Sequence, residues 1–404
     1  MIRKINKYTI TALLFLVTIF AIGILNFNQL KDNIQNTLRD KNIKNVEQAI
    51  SSIEDNYNEH FYNRTEFIDF YGLLQKKMNK NEVSNFDVVR DKKGGLHYQY
   101  FADRPNDVST IVDSISKYKE YVTSIGIDLV YVNPPDKVIR GITEFEKGLP
   151  YNMANETADK FLGELKKRDI DYLDLREDIL DSGIERDELF FKTDHHWTPE
   201  TAFWAFNRLV AKLEEEYDFD LDKDGFYTNK ENYNFKTYKE FFLGSLGRRT
   251  GKLYSGLDDF TLITPKFDTE YTAIGKNPYY PEGPSEIKGR FEDVIVDRFW
   301  SLDPNAKVEE RDRYSAYLVS NRPEHKILNN LNKNGPKVLI IKDSFMMPVS
   351  AFLSTVCSEI TLIDPRYYHE KDMYQYTRDY KPDIVIVSFS EANLTDEFFH
   401  FEEK

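Results

Sequence analysis

Lys337-Val338-Leu339-Ile340-Ile341-Lys342-Asp343-Ser344-Phe345 is the stretch on which the fold class turns. Lys337 to Ile341 is a short apolar run of the kind that forms a strand buried on both faces of a parallel sheet. The chain turns at Asp343-Ser344, and 345–357 (Phe-Met-Met-Pro-Val-Ser-Ala-Phe-Leu-Ser-Thr-Val-Cys) reads as the following helix. A serine at a strand-to-helix turn stands at the carboxyl end of the sheet, where open α/β folds bind ligands. Free N–H groups at the helix start can hold a developing oxyanion. Strand, Asp-Ser, helix is the arrangement of a nucleophile elbow. The plainer reading of the same residues is an N-cap, with Asp343 or Ser344 doing no chemistry.

A nucleophilic serine needs a base and a group to orient that base. Thr193-Asp194-His195-His196-Trp197-Thr198 offers both. Residues 199–216 that follow read as an amphipathic helix, with Thr198 as its N-cap and Pro199 as its first residue. Asp194 to Trp197 therefore lie in the turn ahead of a helix. In a turn or extended segment residues two apart can point the same way, so Asp194 can reach the His196 imidazole; in a helix they would be about 200° apart. His195 then faces the other side. The bland alternative leaves Asp194 as a charge at a helix start and both histidines as polar loop residues.

Flanking segments extend the pattern. Val108 to Gly126 and Asn155 to Lys167 read as helices, and 127–132, 360–363 and 383–388 as strands, which is an α/β alternation. No internal repeat or low-complexity tract is visible. Between the two chemical segments, 218–330 is rich in Tyr, Phe, Asp and Gly and reads as strands and long loops. Within it, Phe242 to Gly251 carries Arg248 and Arg249 in a Gly-rich loop able to offer donors to a carboxylate or oxyanion, or to be a solvated turn. Asp220-Leu221-Asp222-Lys223-Asp224-Gly225, with Glu231 in the twelfth place, also satisfies the EF-hand calcium-loop pattern. Tyr227 is an unusual eighth residue and no second hand exists, so an acidic surface turn competes with calcium binding.

Composition bounds the class. The chain has 404 residues, 41% hydrophobic and 30% charged, enough for one large or two ordinary domains. A net charge of −14 argues against nucleic acid as a partner. The 26 Tyr and 29 Phe supply core packing and leave material for sugar-stacking surfaces. Tyr8 to Phe27 carries no charge, and about 20 such residues span a bilayer. Arg3, Lys4 and Lys7 ahead of it favour the N-terminus inside and the remainder outside. A signal peptide is the rival reading, but Ala21-Ile22-Gly23, the one small-x-small site, falls inside the apolar run. The expected organisation is a cytoplasmic tip and anchor over 1–27, a helical stalk over 28–84 and a globular part over 85–404. Cys357 is the only cysteine, so no intrachain disulfide forms. Absence of disulfides outside the cytoplasm fits a bacterial surface.

The paired segments resemble the DHHW family, which is similar to the SGNH-hydrolase-like domain of the alginate O-acetyltransferases of bacterial exopolysaccharide systems. In that group the Asp-x-His element precedes the Gly-Asp-Ser-type element, and the order here agrees. Asp87–Tyr98 resembles the family's opening strand pair, Asp128–Lys137 its first core strand with a Pro/Lys turn, and Asp383–Glu391 its last strand with an acidic end. The likeness covers roughly 85–404. It implies an α/β, SGNH-hydrolase-like three-layer fold with an irregular β-rich insert at about 218–330. It further implies Ser344 as nucleophile, His196 as base and Asp194 as its orienting partner. His195, Trp197, Lys342, Asp343, Arg248 and Arg249 stand as candidates for substrate or oxyanion contacts. Two departures bear on the oxyanion donors: Lys342 occupies the usual glycine position, and the asparagine of the third SGNH block has no clear counterpart.

The function this implies is a membrane-anchored, outward-facing O-acetyltransferase acting on a cell-surface or secreted polysaccharide. An integral-membrane acyltransferase would be the partner that supplies the acyl donor. A carbohydrate acetyl esterase would use the same site with water as acceptor. A non-catalytic glycan-binding or assembly protein is the third reading, with Lys342 its best support. The chemistry requires no metal or cofactor; Asp194 and His196 lack further ligands at a recognisable metal spacing.

Overall fold

A computed structural model describes residues 6–39, 45–83, 85–275, 283 and 285–402 of the chain. Arg3 and Lys4, part of the topology reading, lie outside the described residues. The core is an eight-stranded sheet built from β1 (Asp128–Asn133), β2 (Asp171–Asp174), β3 (Tyr271–Ile274), β4 (Glu286–Gly289), β5 (Glu324–Asn329), β6 (Lys337–Lys342), β7 (Glu359–Ile363) and β8 (Ile384–Ser388). Their order across the sheet is β2-β1-β8-β6-β7-β5-β3-β4. The first five are mutually parallel, and β5, β3 and β4 continue antiparallel from β7.

Period-two alternation explains why the central strands are apolar throughout. Val338 and Ile340 of β6 join one hydrophobic cluster, whereas Leu339 and Ile341 join another on the opposite face. Val130 and Val132 against Leu129 and Tyr131 divide the same way. Helices Pro199–Tyr217 and Met346–Leu353 pack together on the first face. Helices Ser109–Ser124, Ala154–Lys167 and Met373–Tyr380 cover the second. Both faces are thus sealed, as parallel strands require. The result is the three-layer α/β fold.

One sequence expectation needs correction. The helix after Ser344 ends at Leu353, short of Cys357. Ser354 and Thr355 turn their hydroxyls back onto the carbonyls of Ala351 and Phe352, at 2.7 Å each, offering the backbone an alternative to another helical turn. The 218–330 insert, read as strands and long loops, holds strands that join the main sheet. Tyr233–Phe242 and Asp258–Pro265 form an antiparallel ribbon, but β3, β4 and β5 extend the main sheet by three strands.

The EF-hand pattern folds as a turn. Asp222 accepts from the amides of Tyr227 and Thr228 and from the Thr228 hydroxyl, so its carboxylate closes the loop on itself. The chain then leaves through a short 3₁₀ turn into strand Tyr233–Phe242 instead of a second helix.

The described residues of 28–84, expected as a helical stalk, fold as three helical segments. Helix Lys7–Arg39 runs on past the apolar stretch, and helix Val46–Glu59 packs against it. Helix Arg64–Lys77 docks on the globular part through Asp69, Gly72 and Gln75. Gly72 is required there, because a Cβ would sit 2.0 Å from the Thr250 carbonyl oxygen. Gly72→Ala is therefore expected to cost about 1–3 kcal/mol of stability, read from chemical denaturation. Gly163→Ala, in a helix where a Cβ meets nothing within 4 Å, should instead stabilise by up to about 1 kcal/mol.

Candidate active site

Ser344 sits immediately after β6, in the turn before helix Met346–Leu353. Asp343, ahead of it, is fully buried, and its carboxylate accepts every hydrogen bond it makes. It receives the amides of Phe345 (3.0 Å) and Ser390 (2.6 Å) and the Asn393 amide group (2.8 Å). Asp343 thus ties the turn to the segment following β8. A saturated carboxylate cannot donate to an oxyanion, so here the N-cap-like reading of Asp343 replaces the substrate role. Lys342 is likewise engaged elsewhere: its buried ammonium donates to Asn321 at 2.6 Å, with Asp364 at 4.0 Å. Burial pulls its pKa down to about 8 against the pull of Asp364 and Asp343.

The His-bearing segment is held as a strap from three sides. Asp258 accepts from the amides of Lys192 and Thr193 and from the Thr193 hydroxyl at 2.5–2.8 Å. The half-buried Lys137 donates its ammonium to the carbonyls of Leu96 (2.6 Å), Lys192 (3.0 Å) and Asp194 (2.8 Å). Gly244 and Gly247 donate their amides to the hydroxyl and carbonyl of Thr193. The approach at Gly244 is so close that a Cβ there would lie 2.3 Å from the Asp194 Cβ.

On this strap Asp194 and His196 meet as expected. Asp194 Oδ1 accepts from the His196 amide at 3.0 Å and from His196 Nδ1–H at 2.5 Å, and Oδ2 accepts from the Ser245 amide at 2.7 Å. With its proton on Nδ1, the imidazole offers the Nε2 lone pair. Ser344 Oγ lies 2.6 Å from Nε2 and donates to it. Burial alone would raise the Asp194 pKa; His195, His196 and the hydrogen bonds from His196 and Ser245 outweigh it and hold the carboxyl well below its ordinary range. Asp194 is therefore a carboxylate at neutral pH, the form that keeps Nδ1 protonated.

The remaining candidates divide. Trp197 is fully buried and its indole N–H donates to the Phe345 carbonyl at 3.1 Å, so it braces the serine turn and does not meet substrate. Arg248 is spent on the carbonyls of Leu243 and Arg311. Its stretch is not a loop: Ser245–Thr250 is a short helix that starts at Gly244. Arg249 pairs with Asp87 and lies 5.0 Å over the Tyr98 ring. Tyr98 bonds Ser245, which is 3.2 Å from His195 Nδ1, so Arg249 and His195 sit along one rim. Asp194, His195 and His196 also gather their ligand atoms within 4.8 Å of one another. Both His196 nitrogens are already engaged, so a metal ion there would have to displace the Ser344 contact.

Sequence reasoning missed Tyr314. Its ring stacks on the His196 imidazole at 3.8 Å and 10°, and its hydroxyl donates to the carbonyls of Ser344 and Phe345 at 3.2 and 3.3 Å. One tyrosine in a stretch of the insert that carried no motif left no signal. Ser245, Gly244 and Lys137 lay in stretches singled out from the sequence, but their contacts depend on folding.

Residues 98–237 match a family model, the SGNH hydrolase-like domain of acetyltransferase AlgX. That span includes Asp194 and His196 and stops short of Ser344. Among solved structures, Bacillus cereus PatB1 bearing a sulfonyl adduct aligns with a TM-score of 0.61 at 20% identity, over 78% of this chain and 97% of that one. A DHHW family protein from Eubacterium siraeum aligns with a TM-score of 0.59 at 18% identity, over 79% and 98%. No curated protein matches the chain. The domain is SGNH-hydrolase-like, and the resemblance read from the two short segments stands.

Two outcomes follow. Trp197→Phe keeps a ring but removes the buried hydrogen bond to Phe345, and should cost about 1–3 kcal/mol in denaturation. Burial holds His97 down to about 4 and His325 well below the ordinary 6.5. The unfolded chain therefore binds protons that these folded imidazoles refuse, and stability should fall as pH drops from about 6.5 toward 4. Thermal midpoints across that window check it, and His325→Leu should flatten the slope.

Proposed function

We propose that this SGNH-hydrolase-like domain is a serine acyltransferase that O-acetylates a polysaccharide outside the cytoplasm. The observation carrying the reading is the unbroken line from Asp194 through His196 to the Ser344 hydroxyl, at 2.5 and 2.6 Å. Ser344 Oγ attacks the acetyl carbonyl of a donor while His196 Nε2 takes the hydroxyl proton. The Asp194 carboxylate stabilises the imidazolium that forms. The Ser344 amide, which has no hydrogen-bond partner among the described residues, is placed to receive the oxyanion at the helix start. Collapse breaks the bond to the donor's leaving group, which takes the proton from His196 and leaves acetyl-Ser344. A sugar hydroxyl then gives its proton to His196, bonds to the acetyl carbon and releases Ser344, whose oxygen recovers the proton. The whole cycle is redox-neutral and uses no cofactor.

Support comes from the acetyltransferase to whose domain residues 98–237 are similar. The location rests on helix Lys7–Arg39, which is long and apolar enough to cross a membrane. We read it as a single-pass anchor with the domain outside. A membrane-embedded acyltransferase as donor partner belongs to the same reading.

A sulfonyl fluoride suits the test, given the sulfonyl adduct carried by PatB1. The purified protein should gain one sulfonyl group on Ser344 by mass spectrometry, and Ser344→Ala should gain none. With 4-nitrophenyl acetate, an oligosaccharide acceptor should speed release of nitrophenol and emerge acetylated. Ser344→Ala and Asp194→Asn should each lower the rate on the order of 10³-fold or more. Hydrolysis indifferent to acceptor would make the protein an esterase, and an unlabelled, inert Ser344 would make it a binding protein.

A further inference from the structure

Helix Arg64–Lys77 carries two apolar stripes, only one of which is used. Its inner stripe, with Ile68, Gly72 and Leu73, turns toward the globular part. On the outer side Phe67, Phe70, Tyr71, Leu74 and Met78 are exposed, Phe70 by 59% and Met78 by 58%. At about 100° per residue these five fall within a single arc of roughly 100°. Exposed Arg64 and Lys77 fall at the two borders of that arc. Apolar and aromatic side chains edged by long cations are the composition of a helix lying in a bilayer interface, where the cations snorkel to phosphate.

Where this helix begins says what covers it. The Tyr62 amide, just ahead of the helix, donates to Asn26 Oδ1 at 2.8 Å. Asn26 lies at the end of the uncharged stretch Tyr8 to Phe27, where a membrane-spanning helix leaves the hydrocarbon. Beyond it, helix Lys7–Arg39 runs about 20 Å further, at 1.5 Å per residue. Asn26, Asn33 and Thr37 form its buried stripe, the seam against helix Val46–Glu59. That second helix, 14 residues long, covers about the same 20 Å in return. The chain therefore goes out and comes back, and Tyr62 is again level with the end of the span.

From this we infer that the exposed face of helix Arg64–Lys77 rests on the outer surface of the bilayer, seating the domain directly on the membrane instead of holding it out on a stalk. The occupant is lipid: Phe67, Phe70, Tyr71, Leu74 and Met78 enter the headgroup–acyl boundary, and Arg64 and Lys77 pair with phosphate. This rests on helix Lys7–Arg39 being a membrane anchor. A glycan acetylated by such a protein would be met while still at the membrane face.

The test uses the full chain in phospholipid nanodiscs, with nitroxide labels at single introduced cysteines; native Cys357 is buried and spared. Labels at Phe70→Cys, Leu16→Cys and Glu54→Cys are compared by oxygen and nickel-chelate relaxation. Leu16, inside the span, should favour oxygen, and Glu54, on the outward hairpin, should favour the water-soluble chelate. Phe70 should resemble Leu16, with the ratio of oxygen to chelate accessibility at least about 5-fold above that of Glu54. Phe70 matching Glu54 while Leu16 reads lipid would overturn the seating and leave the anchor standing. Leu16 matching Glu54 would overturn both. Spin–spin broadening at Phe70 with low access to either reagent would assign the face to a second copy of this chain, also against the proposal.

Discussion

One hydrogen bond, from the Ser344 hydroxyl to His196 Nε2, joins groups 148 residues apart, and much of the domain is arranged so that it can exist. Its two ends rest on different foundations. Ser344 inherits its place from β6, an interior member of five parallel strands, and from the Asp343 bonds that pin the turn to the segment after β8. His196 belongs to a strap outside the sheet. It is held by Lys137, Asp258, Gly244 and Gly247, which come from the β1 loop and the long insert. The insert is thus part of the scaffold of the base.

The strap has an electrostatic logic. Asp194 and Asp258 are buried and Lys137 is half-buried, and a charge withdrawn from water is tolerable only when paired or saturated with hydrogen bonds. Asp258 receives three bonds, Asp194 three and the Lys137 ammonium gives three. Each member fixes backbone as well as balancing charge, so the imidazole is held in one orientation. Tyr314 completes this by clamping the ring face and the carbonyls of the serine turn at once. Preorganised polarity of this kind is where enzymes of many folds find their rate.

Local pattern carried much of the architecture. Largely apolar runs of four to six residues located β1, β6, β7 and β8, since a strand buried on both faces favours Val, Ile and Leu. Thr198-Pro199 marked a helix start, and the short reach of an Asp-x-His turn paired Asp194 with His196. What misled was local pattern without context. Acidic spacing at Asp220–Glu231 matched a calcium loop, yet Asp222 satisfies its own backbone. Arg248, Arg249, Trp197 and Lys342 had the right chemistry for a substrate pocket, but interior partners claimed three of them, and Asp87 with the Tyr98 ring took Arg249.

By itself the sequence determined the α/β class, the apolar N-terminal segment and the two short segments that carry Asp194, His196 and Ser344, because each depends on residues close together along the chain. Only the tertiary structure decided that the 218–330 stretch extends the main sheet, that Tyr314 and Lys137 support the imidazole, and that the N-terminal helices double back. Those outcomes depend on contacts between distant segments. Their free energies come from burial and geometry, which no window of neighbouring residues contains.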